Sequence, residues 1–152
     1  MFTKRLLAFF ALMMPFFCIG QNIEIKLSCQ MIFDRTYMSG AKERSTVEEV
    51  LEVTQYKQLE FLSIIPIGDS GTLASISTRN TDNVISVQNF SDDNKWSLSN
   101  ATKSSQGYVA KTSLTIDRNS GKIFYYRDWR DGQLVIQGQG NCKKVDSTKR
   151  LF

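Results

Sequence analysis

The chain has 152 residues, 19 Lys+Arg against 15 Asp+Glu, three Cys and no His. The missing imidazole excludes Ser-His and Cys-His nucleophile systems and removes the commonest metal ligand, and no catalytic or metal-binding motif replaces it. A net charge of +4 with no basic stripe excludes a nucleic-acid groove, which must neutralise several phosphates.

In chain order, Lys4 and Arg5 precede an apolar run over 6–17, followed by Cys18, Ile19 and Gly20 before the polar Gln21 and Asn22. That pattern predicts a signal peptide over 1–20, too short to span a bilayer and cleaved after about Gly20. The remaining 21–152 is one domain's length, expected in the periplasm or secreted. Cys18 is not expected to carry lipid, because the bulky Phe17 precedes it. Two cysteines remain, Cys29 and Cys142, and an even number of thiols in an exported chain predicts a disulfide. Closing so long a loop stabilises by roughly 4–5 kcal/mol in the chain-entropy picture.

Ile23, Ile25, Leu27, Cys29, Met31 and Phe33 alternate with polar residues, which predicts a half-buried strand with Cys29 facing the core. Residues 35–46 are polar and contain Gly40, and read as a long loop. The stretch 45–67 is ambiguous. Ser45 with Glu48 resembles a capping box, and Val47, Val50 and Leu51 fit a helical face. Leu51 with Val53 and Leu59 with Phe61 alternate instead, which favours two strands meeting near 55–57, the second ended by Pro66. Further strands are predicted over 73–79, 84–90, 96–101, 108–118 and 123–129, separated by Gly, Asn, Asp and Ser turns. After Asp131 and Gly132, a hairpin signal, Leu134, Ile136, Gly138, Gly140 and Cys142 share one face. Lys143, Lys144, Lys149 and Arg150 make a basic C-terminal tail, read as a solvated end.

Together these elements predict an all-β fold: an antiparallel meander of about eight strands, closed as a small barrel or sandwich, with one disulfide joining first and last strands. The inward Gly138 and Gly140 leave space, which favours a cavity; the alternative is that they simply ease strand bending. The carboxylates Glu48, Glu49, Glu52, Asp92, Asp93, Asp128 and Asp131 sit where acidic residues are usually just solvated. Tyr125, Tyr126, Trp129, Arg127 and Arg130 form the main candidate binding group, with Trp96 and Tyr108 as extensions. Aromatics mixed with Arg are the composition of binding hot spots, although period two would send Tyr125, Arg127 and Trp129 to one face and Phe124 and Tyr126 to the other.

The run 114–121, containing Ile116-Asp117-Arg118-Asn119-Ser120-Gly121, and the closing Gly140-Asn141-Cys142-Lys143-Lys144 resemble a group of small uncharacterised secreted bacterial β-proteins. These share an early Cys, an I-D-R-x-[ST]-G hairpin and a terminal G-x-C-x-K. The resemblance implies periplasmic location and the disulfide, and no activity. A looser resemblance is to periplasmic C-type lysozyme inhibitors, small barrels that insert a loop bearing Ser and Lys into the lysozyme cleft. It implies an inhibitor loop at 35–46 with Ser39 and Lys42, but the tyrosine expected after Ser-Gly is missing. The resulting expectation is an exported, non-enzymatic binding or interaction domain, monomeric, without cofactor, metal, nucleic acid or membrane association. Its partner is a protein or a small apolar ligand held inside the barrel.

Overall fold

The computed structural model describes residues 22–56, 60–68, 72–79 and 83–145; the expected signal peptide and the end of the basic tail lie outside the described residues. Strands β1 (Ile23–Tyr37), β2 (Lys42–Tyr56), β3 (Phe61–Pro66), β4 (Ile76–Ser77), β5 (Val84–Asn89), β6 (Lys95–Lys103), β7 (Val109–Asp117), β8 (Lys122–Trp129) and β9 (Leu134–Lys144) form one antiparallel sheet. Its order is β4-β3-β2-β1-β9-β8-β7-β6-β5, so the first and last strands meet in the middle and β4 and β5 are the edges. The sheet curls until β4 lies against β6 and β7, giving a nearly closed barrel. The all-β expectation, with a strand more than counted from sequence, holds, and among the described residues there is no helix.

Two differences from the sequence reading have physical reasons. Residues 35–46 are not a long loop. β1 runs on to Tyr37 and β2 starts at Lys42, leaving a tight turn in which Gly40 adopts φ 81°. Cross-strand charge replaces apolar contact here: Arg44 donates to both Asp34 oxygens at 2.7 and 3.0 Å, and Arg35 lies 3.6 Å from Glu43. The strand expected over 73–79 shrinks to Ile76–Ser77. Leu73 and Ile76 sink into the core, and the Ala74 N–H donates to the Tyr125 hydroxyl at 3.2 Å rather than to a neighbouring strand.

For 45–67 the two-strand reading is the one the fold adopts, and Pro66 ends β3. The inward residues of β2 are Val47, Glu49, Leu51 and Val53, and Glu49, only 3% exposed, hides the alternation because it is charged.

The core is a filled one. Phe33 and Tyr125 meet edge to face, centroids 6.0 Å apart, amid Met31, Leu98, Leu114, Ile116 and Ile123. Gly138 and Gly140 leave no hole, which corrects the cavity alternative of the sequence reading. A Cβ on Gly138 would fall 2.5 Å from the Phe33 ring, and one on Gly140 would fall 2.0 Å from the Gln30 carbonyl oxygen. The glycines instead let β1 press its backbone and its Phe33 ring against β9. Cys29 and Cys142 are directly opposite on β1 and β9 and form the disulfide. Val145 N–H donates to Lys26 O, so by alternation Cys29/Cys142 is a pair without ladder bonds, the kind whose side chains come closest.

The Ile116–Gly121 motif is a structural clamp. One Asp117 oxygen accepts from the Asn119 N–H (3.0 Å), the Ser120 N–H (2.7 Å) and the Ser120 hydroxyl (2.9 Å). These bonds, the Ser120 backbone first, hold the Asp117 carboxyl below the usual range. Gly121 has φ 72° and would place a Cβ 2.3 Å from the Cys142 carbonyl, so only glycine fits.

Candidate functional site

The barrel is interrupted where its two edges come round to each other. A cleft of about 1020 Å³ lies there, lined by Tyr56, Phe61, Ser63, Arg79, Val87 and Asn89 among others. Its two walls have opposite origins. Phe61, Ser63 and Ile65 alternate with the core residues Leu62 and Ile64, so they belong to the outer face of β3. Val87 and Asn89 sit opposite Asn100 and Leu98, both buried, so they belong to the inner face of β5. The β3–β4 edge is therefore tucked inside and β5 lies over it, so the edges overlap rather than abut. Ser63 is buried although it points outward, as this overlap requires.

The inner wall carries the chemistry. The rings of Tyr56 and Phe61 stack at 5.6 Å with an interplanar angle of 22°, and the Arg79 guanidinium lies 5.7 Å from the Phe61 centroid. The Tyr56 hydroxyl donates to the Glu24 carboxylate, which pushes the phenol above its usual range. Arg79 forms no ion pair among the described residues.

The outer wall offers backbone. Phe90 N–H donates to Ser97 O, so the pairs sharing ladder bonds are Phe90/Ser97, Gln88/Ser99 and Ser86/Ala101. Val87 and Asn89 therefore turn their N–H and C=O away from β6, toward a side where β5 has no strand neighbour among the described residues. The opposite edge is protected. β4 is two residues long, and Pro66 has no N–H.

The sequence-derived aromatic group does not form one patch. Tyr125 is 3% exposed; its hydroxyl accepts from Ala74 inside the barrel, and burial pushes the phenol up. Trp96, also a core residue, donates its indole N–H to Gln55 Oε1 at 3.0 Å beneath the Arg118 guanidinium. Tyr126 and Phe124 point the other way, to solvent. Arg130 lies 3.9 Å from the Tyr108 centroid and 4.6 Å from that of Trp129, joining the β6–β7 and β8–β9 turns. Arg127 stands opposite Thr112, which stands opposite Asn100. On the far side of the buried Ile136, which stands opposite both Arg127 and Arg35, Arg35 donates to Ser45, so one barrel end carries two inward polar groups that the sequence reading did not foresee.

Of the expected inhibitor loop, Ser39 is exposed in the β1–β2 turn, and Lys42 is exposed as the first residue of β2, beside the exposed Met38. A smaller hollow of about 290 Å³ opens beside the disulfide, between Leu27, Trp96, Ile116 and Lys144. No group of three or more His, Cys, Asp or Glu able to hold a metal occurs among the described residues. The cleft residues lie in four separate stretches with no motif. The legible traces were Pro66 and the run 83–91, which carries no charge. The chain matches no protein-family model, no curated protein and no solved structure at a significant level.

Proposed function

We propose that this chain is an exported, non-enzymatic binding domain whose ligand occupies the cleft between the overlapping edges of the sheet. The observation that carries this reading is the contrast between a filled barrel interior and an open cleft of about 1020 Å³ that combines aromatic faces, a guanidinium and hydroxyls. Ligand sites are concave and set apolar faces among placed polar groups; this cleft is concave and its lining is more polar than apolar, with the Tyr56–Phe61 pair, Ile65 and Val87 as its apolar faces. Binding demands no proton transfer, which fits a chain without His. Ligand held deep in the barrel is the poorer reading, because Phe33 fills the space beside Gly138.

The test begins with protein purified from its own compartment, examined by native mass spectrometry for retained mass. Amide shift mapping follows, with the released ligand or a small-molecule collection. Shifts clustered at 54–56, 61–65 and 87–89, and lost in Ser63→Trp, support the cleft. Shifts confined to 38–42, together with lysozyme inhibition lost in Ser39→Ala or Lys42→Ala, would replace it with the inhibitor reading.

A further inference from the structure

We infer that the cleft takes an extended polypeptide segment of a partner protein, held as an added strand on the free edge of β5. This rests on the cleft being the binding site and names the class of its occupant. Three independent features lead there.

The first is the direction of backbone groups. Val87 and Asn89 present their N–H and C=O to the cleft, spaced as alternate residues of a regular edge. An incoming antiparallel strand would satisfy them as a neighbouring strand does, which is how sheet edges capture peptides.

The second is that the half of this edge beside the cleft is less defended than the opposite edge, the one irregularity lying at its far end. Edge strands are normally blunted by Lys, Pro, short length or bulges. The other edge of this barrel uses short length and Pro66. The run 83–91, Asn-Val-Ile-Ser-Val-Gln-Asn-Phe-Ser, has neither charge nor proline. Its register slip between Val84 and Ser86 confines regular pairing to its second half, beside the cleft.

The third is the surface beneath. A strand added to β5 passes over the outer face of β3, where Phe61 and Ser63 stand opposite Tyr56 and Thr54 of β2 and Ile65 follows on the same face. Every second side chain of the guest would point down onto this platform. An apolar or aromatic residue suits the Tyr56–Phe61 stack and Ile65, and a carboxylate suits Arg79, which forms no ion pair among the described residues although Glu60 lines the same cleft. The guest is thus an alternating apolar segment with one acidic residue.

The experiment uses random nine-residue peptides displayed on phage, selected against the intact disulfide-bonded protein, with enriched sequences then synthesised and their affinities measured. Enriched peptides should alternate apolar residues and carry Asp or Glu. Val87→Pro removes a seam-facing N–H and replaces a cleft-lining side chain by another apolar one, while the β5–β6 ladder bonds stay whole, so binding should weaken at least about tenfold at unchanged melting temperature. Should that variant misfold, N-methylation of alternate peptide residues against the unaltered protein asks the same question. Methylation in one of the two alternating sets should weaken binding by about tenfold, and in the other set should not.

Binding abolished by Ser63→Trp but untouched by Val87→Pro and by both methylation sets would keep the cleft and overturn strand addition. Binding indifferent to all of these would overturn the cleft as well; a selection that enriches nothing would overturn the polypeptide occupant and leave the cleft itself to the ligand mapping above. If sedimentation equilibrium instead shows a dimer that Val87→Pro dissociates, the occupant is a second copy and the partner-protein inference falls.

Discussion

The sheet comes together twice, and it does so by opposite means. Where β1 meets β9 the approach is intimate. Two glycines admit the facing strand, a disulfide joins the pair, and Phe33 fills the space against Tyr125. Where β4 meets β5 the edges slide past each other and leave a cleft walled by hydroxyls, a guanidinium and an aromatic pair. The difference teaches that closure of this barrel is secured on one side and left undone on the other. Stability should therefore concentrate at the β1–β9 junction, and ligand recognition at the seam.

The comparison can be broken or sharpened by mutation. The largest loss is expected for Phe33→Ala, about 3–5 kcal/mol in denaturant unfolding, since it empties the space that the glycines shaped. A loss below about 1 kcal/mol would mean that the junction collapses to refill it. Reduction of the disulfide, or Cys29→Ser with Cys142→Ser, should cost about 2–5 kcal/mol and lower the melting temperature. Two titratable thiols in denatured protein from an oxidising compartment would contradict the bond.

At the seam, Arg79→Ala should cost less than about 1 kcal/mol, because the cation over Phe61 is solvent-exposed, while altering ligand affinity. A stability loss as large as that of Phe33→Ala would erase the distinction between the two regions. The smallest effect concerns pH. The Asp117 carboxyl is held below its ordinary value in the folded chain, so its contribution is present above the unfolded value near 4 and disappears as pH falls through the folded one. Asp117→Asn should flatten that part of the acid stability profile and leave neutral pH behaviour nearly unchanged, as thermal unfolding between pH 2 and 7 would record.

How much of this was written in local pattern differs between the two sides. The junction was legible. Alternation put Cys29 inward on β1 and Cys142 inward on β9, and a bond between inward cysteines demanded adjacent strands. The glycines were visible too, but their role was not, because only the facing Phe33 and Gln30 show that the space is occupied. The seam was illegible for a different reason. Overlap depends on how far a whole sheet curls, and Tyr56, Phe61, Arg79 and Val87 become neighbours only through that curl. Residues 35–46 misled because polar side chains there grip each other across strands, as Asp34 and Arg44 do, and polarity without apolar alternation resembles a loop. The aromatic group of β8 was split by period two as anticipated, with Tyr125 inside and Tyr126 outside.

The position of the disulfide has a mechanical consequence. Cys29 and Cys142 face each other close to where β1 begins and β9 ends, with Leu27 opposite Lys144 just beyond them. Tension applied at Ile23 and Lys144, the outer ends of β1 and β9, would run across the sulfur–sulfur bond and the few strand residues outside it. The loop of sequence separation 113 would stay slack. Stretched between those two strand ends, the oxidised protein would extend by only a short tether while the barrel kept its shape; the reduced protein would have to resist the same load by peeling β1 from β9.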